Sequence, residues 1–74
     1  SEKIILTSKE NKLLNILVEG KGKTIDRYIL ISNLKLGSRG IDITISRLRK
    51  KVENNPKRPL NILTIRGEGY ALPR

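Results

Sequence analysis

Cysteine and histidine are both missing from these 74 residues, and with them most of the chemistry open to a small protein. Without thiols there is no disulfide staple, no thiolate metal site and no cysteine nucleophile. Without imidazole, the commonest general base and the commonest metal ligand are gone. Seven carboxylates remain, scattered among cations. The expectation is a protein that is not an enzyme and has no metal, cofactor or small-molecule ligand. Phenylalanine, tryptophan and methionine are also absent, and Tyr28 and Tyr70 are the only aromatics. The core must therefore be aliphatic. No apolar run approaches the ~20 residues that span a bilayer, and no signal peptide is visible. These absences point to one cytoplasmic domain with no membrane partner.

Positive charge is abundant. Sixteen Lys and Arg against seven Asp and Glu give a net charge of +9. That density in so short a chain points to a polyanionic partner, such as DNA, RNA or an anionic surface.

Local signals divide the chain. Residues 3–6, Lys3 to Leu6, are apolar and β-branched enough for a short strand. Thr7 and Glu10 have the spacing of a capping box, in which each side chain bonds the other residue's backbone N–H. With the apolar face of Leu13, Leu14, Ile16, Leu17 and Val18, and Gly20 as C-cap, they predict a first helix over 8–19. Residues 23–25 suit a very short strand. Asp26 is a good N-cap for a second helix over 27–35, ended by Gly37, although its apolar residues are too widely spread to define one face. Ser38 can cap a third helix over about 39–54, where Ile41, Ile45, Leu48 and Val52 form a narrow inward stripe. Asn54-Asn55-Pro56 stops it. The runs around 61–65 and 70–72, joined by a four-residue loop at 66–69, read as a hairpin. Strand, three helices and hairpin make an α+β fold of winged helix-turn-helix topology, with a core at about 6–73.

At about 100° per residue, Arg39, Ile43, Ser46, Arg47 and Lys50 lie opposite the buried stripe. Gly40, Thr44 and Lys51 lie on one shoulder, and Asp42 and Arg49 on the other. These residue types suit a major groove. Arg bonds bidentately to guanine, Thr bonds several base edges, and an aliphatic side chain such as Ile43 meets a thymine methyl. A merely solvated cationic face is the plainer alternative. It leaves unexplained why a large aliphatic residue, Ile43, sits among the cations. Asp42 is expected to stabilise the positive first turn or to pair with Arg49. The glycines at 67 and 69 fit a turn rather than a phosphate cradle, since no helix follows them. Arg66 at the tip is placed for a minor groove or a phosphate.

The residues from Leu6 onward resemble a known family. Arg39 to Glu53, reading RGIDITISRLRKKVE, is similar to the recognition helix of OmpR/PhoB-type bacterial response regulators. Thr64 to Tyr70, reading TIRGEGY, resembles their wing, and Leu6-Thr7-Ser8-Lys9-Glu10 with Leu13-Leu14 resembles their opening. The resemblance implies sequence-specific binding of double-stranded DNA for transcriptional regulation, as the effector of a two-component phosphorelay. It implies that Arg39, Ile43, Thr44 and Arg47 face the major groove, and that Arg49, Lys50 and Lys51 bind or flank the backbone. It places Arg66 in the minor groove and Arg27, Thr64 and Tyr70 on phosphates. It also implies a receiver domain before this one in a longer chain, a dimer on tandem half-sites, and contact with RNA polymerase. Some positions depart from the pattern. Asn11 replaces an aromatic, the second helix lacks a tryptophan, the 35–38 loop is short, and Gly40 replaces a larger residue.

Two other readings remain open on the residues alone. A basic RNA-binding module would bind structured RNA as well as duplex DNA, although two tyrosines offer little stacking surface. A winged helix given over to protein interaction would engage partners without using its third helix.

Overall fold

A computed structural model describes residues 4–73. Three helices, α1 (Ser8–Glu19), α2 (Arg27–Leu34) and α3 (Ser38–Val52), pack on one another. Three short strands, β1 (Ile25–Asp26), β2 (Leu63–Ile65) and β3 (Gly69–Ala71), form an antiparallel sheet of order β1-β3-β2. This is the winged helix-turn-helix architecture.

The first helix begins and ends at the expected residues. Glu10 N–H donates to Thr7 Oγ1 (3.2 Å), and Thr7 N–H donates to Glu10 Oε1 (3.1 Å), closing the capping box. Gly20 is the C-cap, but in a right-handed conformation; the left-handed residue is Lys21, at φ 51°.

The expected strand at 3–6 does not form over the described residues 4–6, and Lys3 lies outside them. Ile4 and Ile5 are 60% and 79% exposed. A strand needs a neighbour's amides, and no other described strand pairs with this segment, so β-propensity alone does not order it. The Ile5 carbonyl instead accepts from Lys51 Nζ (3.0 Å).

Asp26 caps α2 as expected, accepting from Tyr28 N–H (2.8 Å). The helix stops at Leu34 because Lys35 adopts the left-handed conformation (φ 55°, ψ 41°). Gly37 is therefore the N-cap of α3 rather than the end of α2, and Ser38 is the first residue of α3 rather than its cap. At the other end α3 stops at Val52, short of 54. Glu53 turns extended (φ −98°, ψ 142°), and its carboxylate accepts from the amides of Leu60 (2.9 Å), Asn61 (3.1 Å) and Ile62 (2.7 Å). Three peptide N–H groups thus bind the chain's return to the sheet onto the end of the helix.

The early short strand falls at 25–26, not 23–25, and joins the hairpin. Ile25 pairs with Tyr70 and Asp26 with Gly69, so β3 is the central strand. The hairpin loop is three residues, 66–68, with Glu68 N–H bonding the Ile65 carbonyl (2.9 Å) and Gly67 at φ 76°. Gly69 belongs to the strand. A Cβ there would lie 1.9 Å from the Ile25 carbonyl oxygen, so only glycine lets β1 and β3 approach.

The core is aliphatic apart from one tyrosine. Leu13 and Leu17 of α1, Leu30 and Leu34 of α2, Ile41, Ile45 and Leu48 of α3, Ile62 and Tyr70 form one buried cluster. Val52, the last of the α3 stripe, is only partly buried against it. Since α3 spends its inner face on this core, its opposite face is left to solvent.

Candidate nucleic-acid interface

That outer face carries the predicted residues. Arg39, Ser46, Arg47 and Lys50 are exposed, and Ile43 among them is 43% exposed. Among the described residues, Arg39, Arg47 and Lys50 form no salt bridge, and neither does Arg66 at the wing tip. An exposed aliphatic side chain ringed by unpaired cations suits a surface that is both anionic and apolar, as base edges and phosphates in a groove are. Beside it, a cleft of about 440 Å³ runs to the first turn of α1, lined by Lys9, Leu36, Gly40, Ile43, Thr44 and Arg47.

Four positions differ from a simple outward-facing arrangement. Thr44 is buried at 8% exposure, and its hydroxyl donates to the Gly40 carbonyl one turn back (2.8 Å). Its shoulder of the helix faces α1, so a polar group there bonds within the helix. Lys51, on the same shoulder, reaches back to α1, where its ammonium pairs with buried Glu10 (2.5 Å). The Lys51 hydrogen bond leads in holding the Glu10 carboxyl below its ordinary range, outweighing burial, with Thr7 N–H helping.

Arg49 turns to the sheet. Its Nη2 donates to the Ile62 carbonyl and to Thr64 Oγ1, both at 2.8 Å. Its guanidinium carbon lies 5.8 Å from the centre of the Tyr70 ring. Tyr70 is itself only 4% exposed, and its hydroxyl donates to Asp42 Oδ1 (2.6 Å). Burial and this bond to a carboxylate push the phenol up to about 12.

Asp42 pairs with Arg27 rather than with Arg49: Arg27 Nη1 lies 3.2 Å from its Oδ1. The same Nη1 donates to Ser38 Oγ (2.9 Å), which fixes the start of α2 against the start of α3. Thr64 is exposed on β2, opposite Tyr70 in the register. The structure therefore gathers Arg27, Arg49, Thr64 and Tyr70 on one flank of α3, between helix and wing. Sequence reasoning missed that Asp42 and Ser38 organise this flank. Their partners lie eleven to twenty-eight residues away, and no local pattern marks them.

Glu53 was also missed as a clamp. Burial raises its carboxyl, but the amides of Ile62, Leu60 and Asn61, with the charge of Arg49, more than offset this and hold it below its ordinary range. Among the described residues, no group of acidic side chains could hold a metal ion, and no helix is long and apolar enough to cross a membrane.

Comparison with known proteins agrees with this geometry. The family model described as "Transcriptional regulatory protein, C terminal" matches residues 1–72. The alkaline phosphatase synthesis transcriptional regulatory protein PhoP of Bacillus subtilis is 44% identical over 72 residues, covering 90% of this chain and 30% of PhoP. The chain thus spans about a third of the length of such relatives. The response regulator DrrB of Thermotoga maritima, an OmpR/PhoB homologue, superimposes with a TM-score of 0.89 at 36% identity, over 96% of this chain and 34% of DrrB. The DNA-binding domain of Klebsiella pneumoniae RstA, solved in complex with the RstA box, gives a TM-score of 0.84 at 34% identity, over 97% of this chain and 76% of that one.

Proposed function

The chain belongs to the family of C-terminal domains of transcriptional regulatory proteins, of the OmpR/PhoB response-regulator type, and on that premise we propose that it binds double-stranded DNA sequence-specifically to regulate transcription. One observation carries the reading. The outer face of α3 presents Arg39, Ile43, Ser46, Arg47 and Lys50 together, on a helix whose inner face is committed to the core.

In this reading α3 lies in the major groove. Arg47 and Arg39 donate to base edges, and Ile43 touches a thymine methyl. Lys50 meets the backbone, and Arg66 reaches from the wing tip into the adjacent minor groove. Arg27 and Thr64 contact phosphates on the wing side. Thr44, Arg49, Lys51 and Tyr70 contribute mainly by holding that surface in place, since the Thr44 and Tyr70 hydroxyls, the Lys51 ammonium, and Nε and Nη2 of Arg49 are bonded within the protein. In a longer cytoplasmic chain a receiver domain precedes this one, two copies occupy tandem half-sites, and RNA polymerase is the further partner.

The test is selection of bound duplexes from a random pool, followed by anisotropy titration of the winner at several salt concentrations. A consensus site should emerge, and log K should fall by about 0.9 per neutralised phosphate against log salt. Equal affinity for structured RNA with no consensus duplex would overturn the proposal.

A further inference from the structure

Asp42 is the only acidic residue in α3, the helix that faces the polyanion in the function proposed above. Simple electrostatics says that a carboxylate there should weaken binding. Yet its side chain is half exposed and ties three elements together. From α3 it accepts the Tyr70 hydroxyl of β3 (2.6 Å) and the guanidinium of Arg27 at the start of α2 (3.2 Å). The Arg27 backbone N–H in turn bonds the Glu68 carbonyl in the hairpin loop (3.1 Å). Two guanidiniums stand close to the Tyr70 ring, Arg27 at 5.7 Å and Arg49 at 5.8 Å from its centre. Arg27 spends only Nη1 on Asp42 and Ser38, so Nε and Nη2 have no side-chain partner among the described residues.

We propose that Asp42 is a positioning residue for DNA recognition: it holds Arg27, with two donors unspent, and the wing at a fixed offset from α3, so that phosphate and base contacts are made in one register. The proposal rests on the DNA-binding reading. Asp42 itself touches no base. It trades a small repulsion for a preset geometry, which favours the correct site over any other duplex. Phosphate contacts set register and base contacts set specificity, so loss of the tether separates the two.

The test compares specific and non-specific binding. The wild-type protein is titrated with its selected duplex and with a scrambled duplex of equal length. Failure of the wild type to prefer the selected duplex would sink the DNA-binding reading itself, before any variant is measured. Given that preference, Asp42→Ala should weaken the selected duplex on the order of tenfold while the scrambled duplex binds as well or more tightly, so that the specificity ratio collapses. Asp42→Asn, of the same shape, keeps an acceptor for Tyr70 but loses the ion pair, and should fall between. Tyr70→Phe removes the other arm and should lower the ratio without adding charge. Amide spectra of the free variants report whether each is folded, and Asp42→Asn decides the matter if the alanine variant is not. Asp42 variants that bind both duplexes more tightly by the same factor, as charge removal alone requires, would overturn the inference.

Discussion

Replacing Glu53 with alanine should destabilise the domain severely, although Glu53 lies outside the proposed DNA-binding face. Its carboxylate accepts from three backbone amides, at 2.9 Å from Leu60, 3.1 Å from Asn61 and 2.7 Å from Ile62. Leu60 is exposed and Asn61 partly so, and water can replace the lost acceptor at both. Ile62 is fully buried, so its N–H would be left without a partner. A buried orphan donor costs about 1–3 kcal/mol, and losing the charge-assisted bonds at the wetter amides adds about 1 kcal/mol. The expected loss is thus about 2–4 kcal/mol. At roughly 0.05–0.15 kcal/mol per residue, a domain of this size has about 4–11 kcal/mol in all. Urea unfolding followed by circular dichroism measures the difference. Glu53→Gln, which keeps one acceptor oxygen, should lose about half as much. An alanine variant within about 0.5 kcal/mol of wild type, the range of an ordinary surface substitution, would refute the reasoning.

Arg47→Ala should cost about 1–3 kcal/mol on the selected duplex and relax preference at one base, leaving urea stability unchanged; an equal loss on every sequence would remove its base-reading role. Glu10 and Glu53 both have folded-state pKa values below the ordinary 4.5, so each contributes stability that is complete above that value and is lost as pH falls through the folded pKa. Acid titration of unfolding free energy should therefore drop below about pH 4.5, and a Glu10→Gln, Glu53→Gln double variant should flatten that limb. Gly69→Ala should break the β1–β3 pairing, because its Cβ would fall 1.9 Å from the Ile25 carbonyl; a loss of at least about 2 kcal/mol is expected from the unfolding midpoint.

What could be read from the sequence was local. The Thr7–Glu10 box and the Gly20 cap placed α1 to the residue, because both ends are set by contacts within four positions. The stripe of Ile41, Ile45 and Leu48 gave the inner face of α3, and so its outer face, because helical periodicity is a property of the backbone. The side chains on the shoulders were harder. A helical wheel sets where a Cα–Cβ bond points, but Lys51 and Arg49 are long enough to choose partners. Theirs, Glu10 and Ile62, are forty-one and thirteen residues away. The apolar run at 4–6 failed as a strand for the same reason: its fate depended on a neighbour that the sequence does not name. Asp42 was expected to act within its own helix, on the first turn or on Arg49, and nothing local marked Glu53. Their partners, Arg27 and Tyr70 for one and the amides of residues 60–62 for the other, come from distant or returning chain.

In the proposed complex the outer face of α3 and the wing tip meet duplex DNA as one surface. Amide chemical-shift mapping with the selected duplex puts that surface on trial residue by residue. Shifts should concentrate at Arg39, Ile43, Ser46, Arg47 and Lys50, and at Arg66 to Glu68, with the α1 face around Asn15 and Glu19 silent. Shifts confined to α1 and the exposed side of α2, with α3 unmoved, would contradict it.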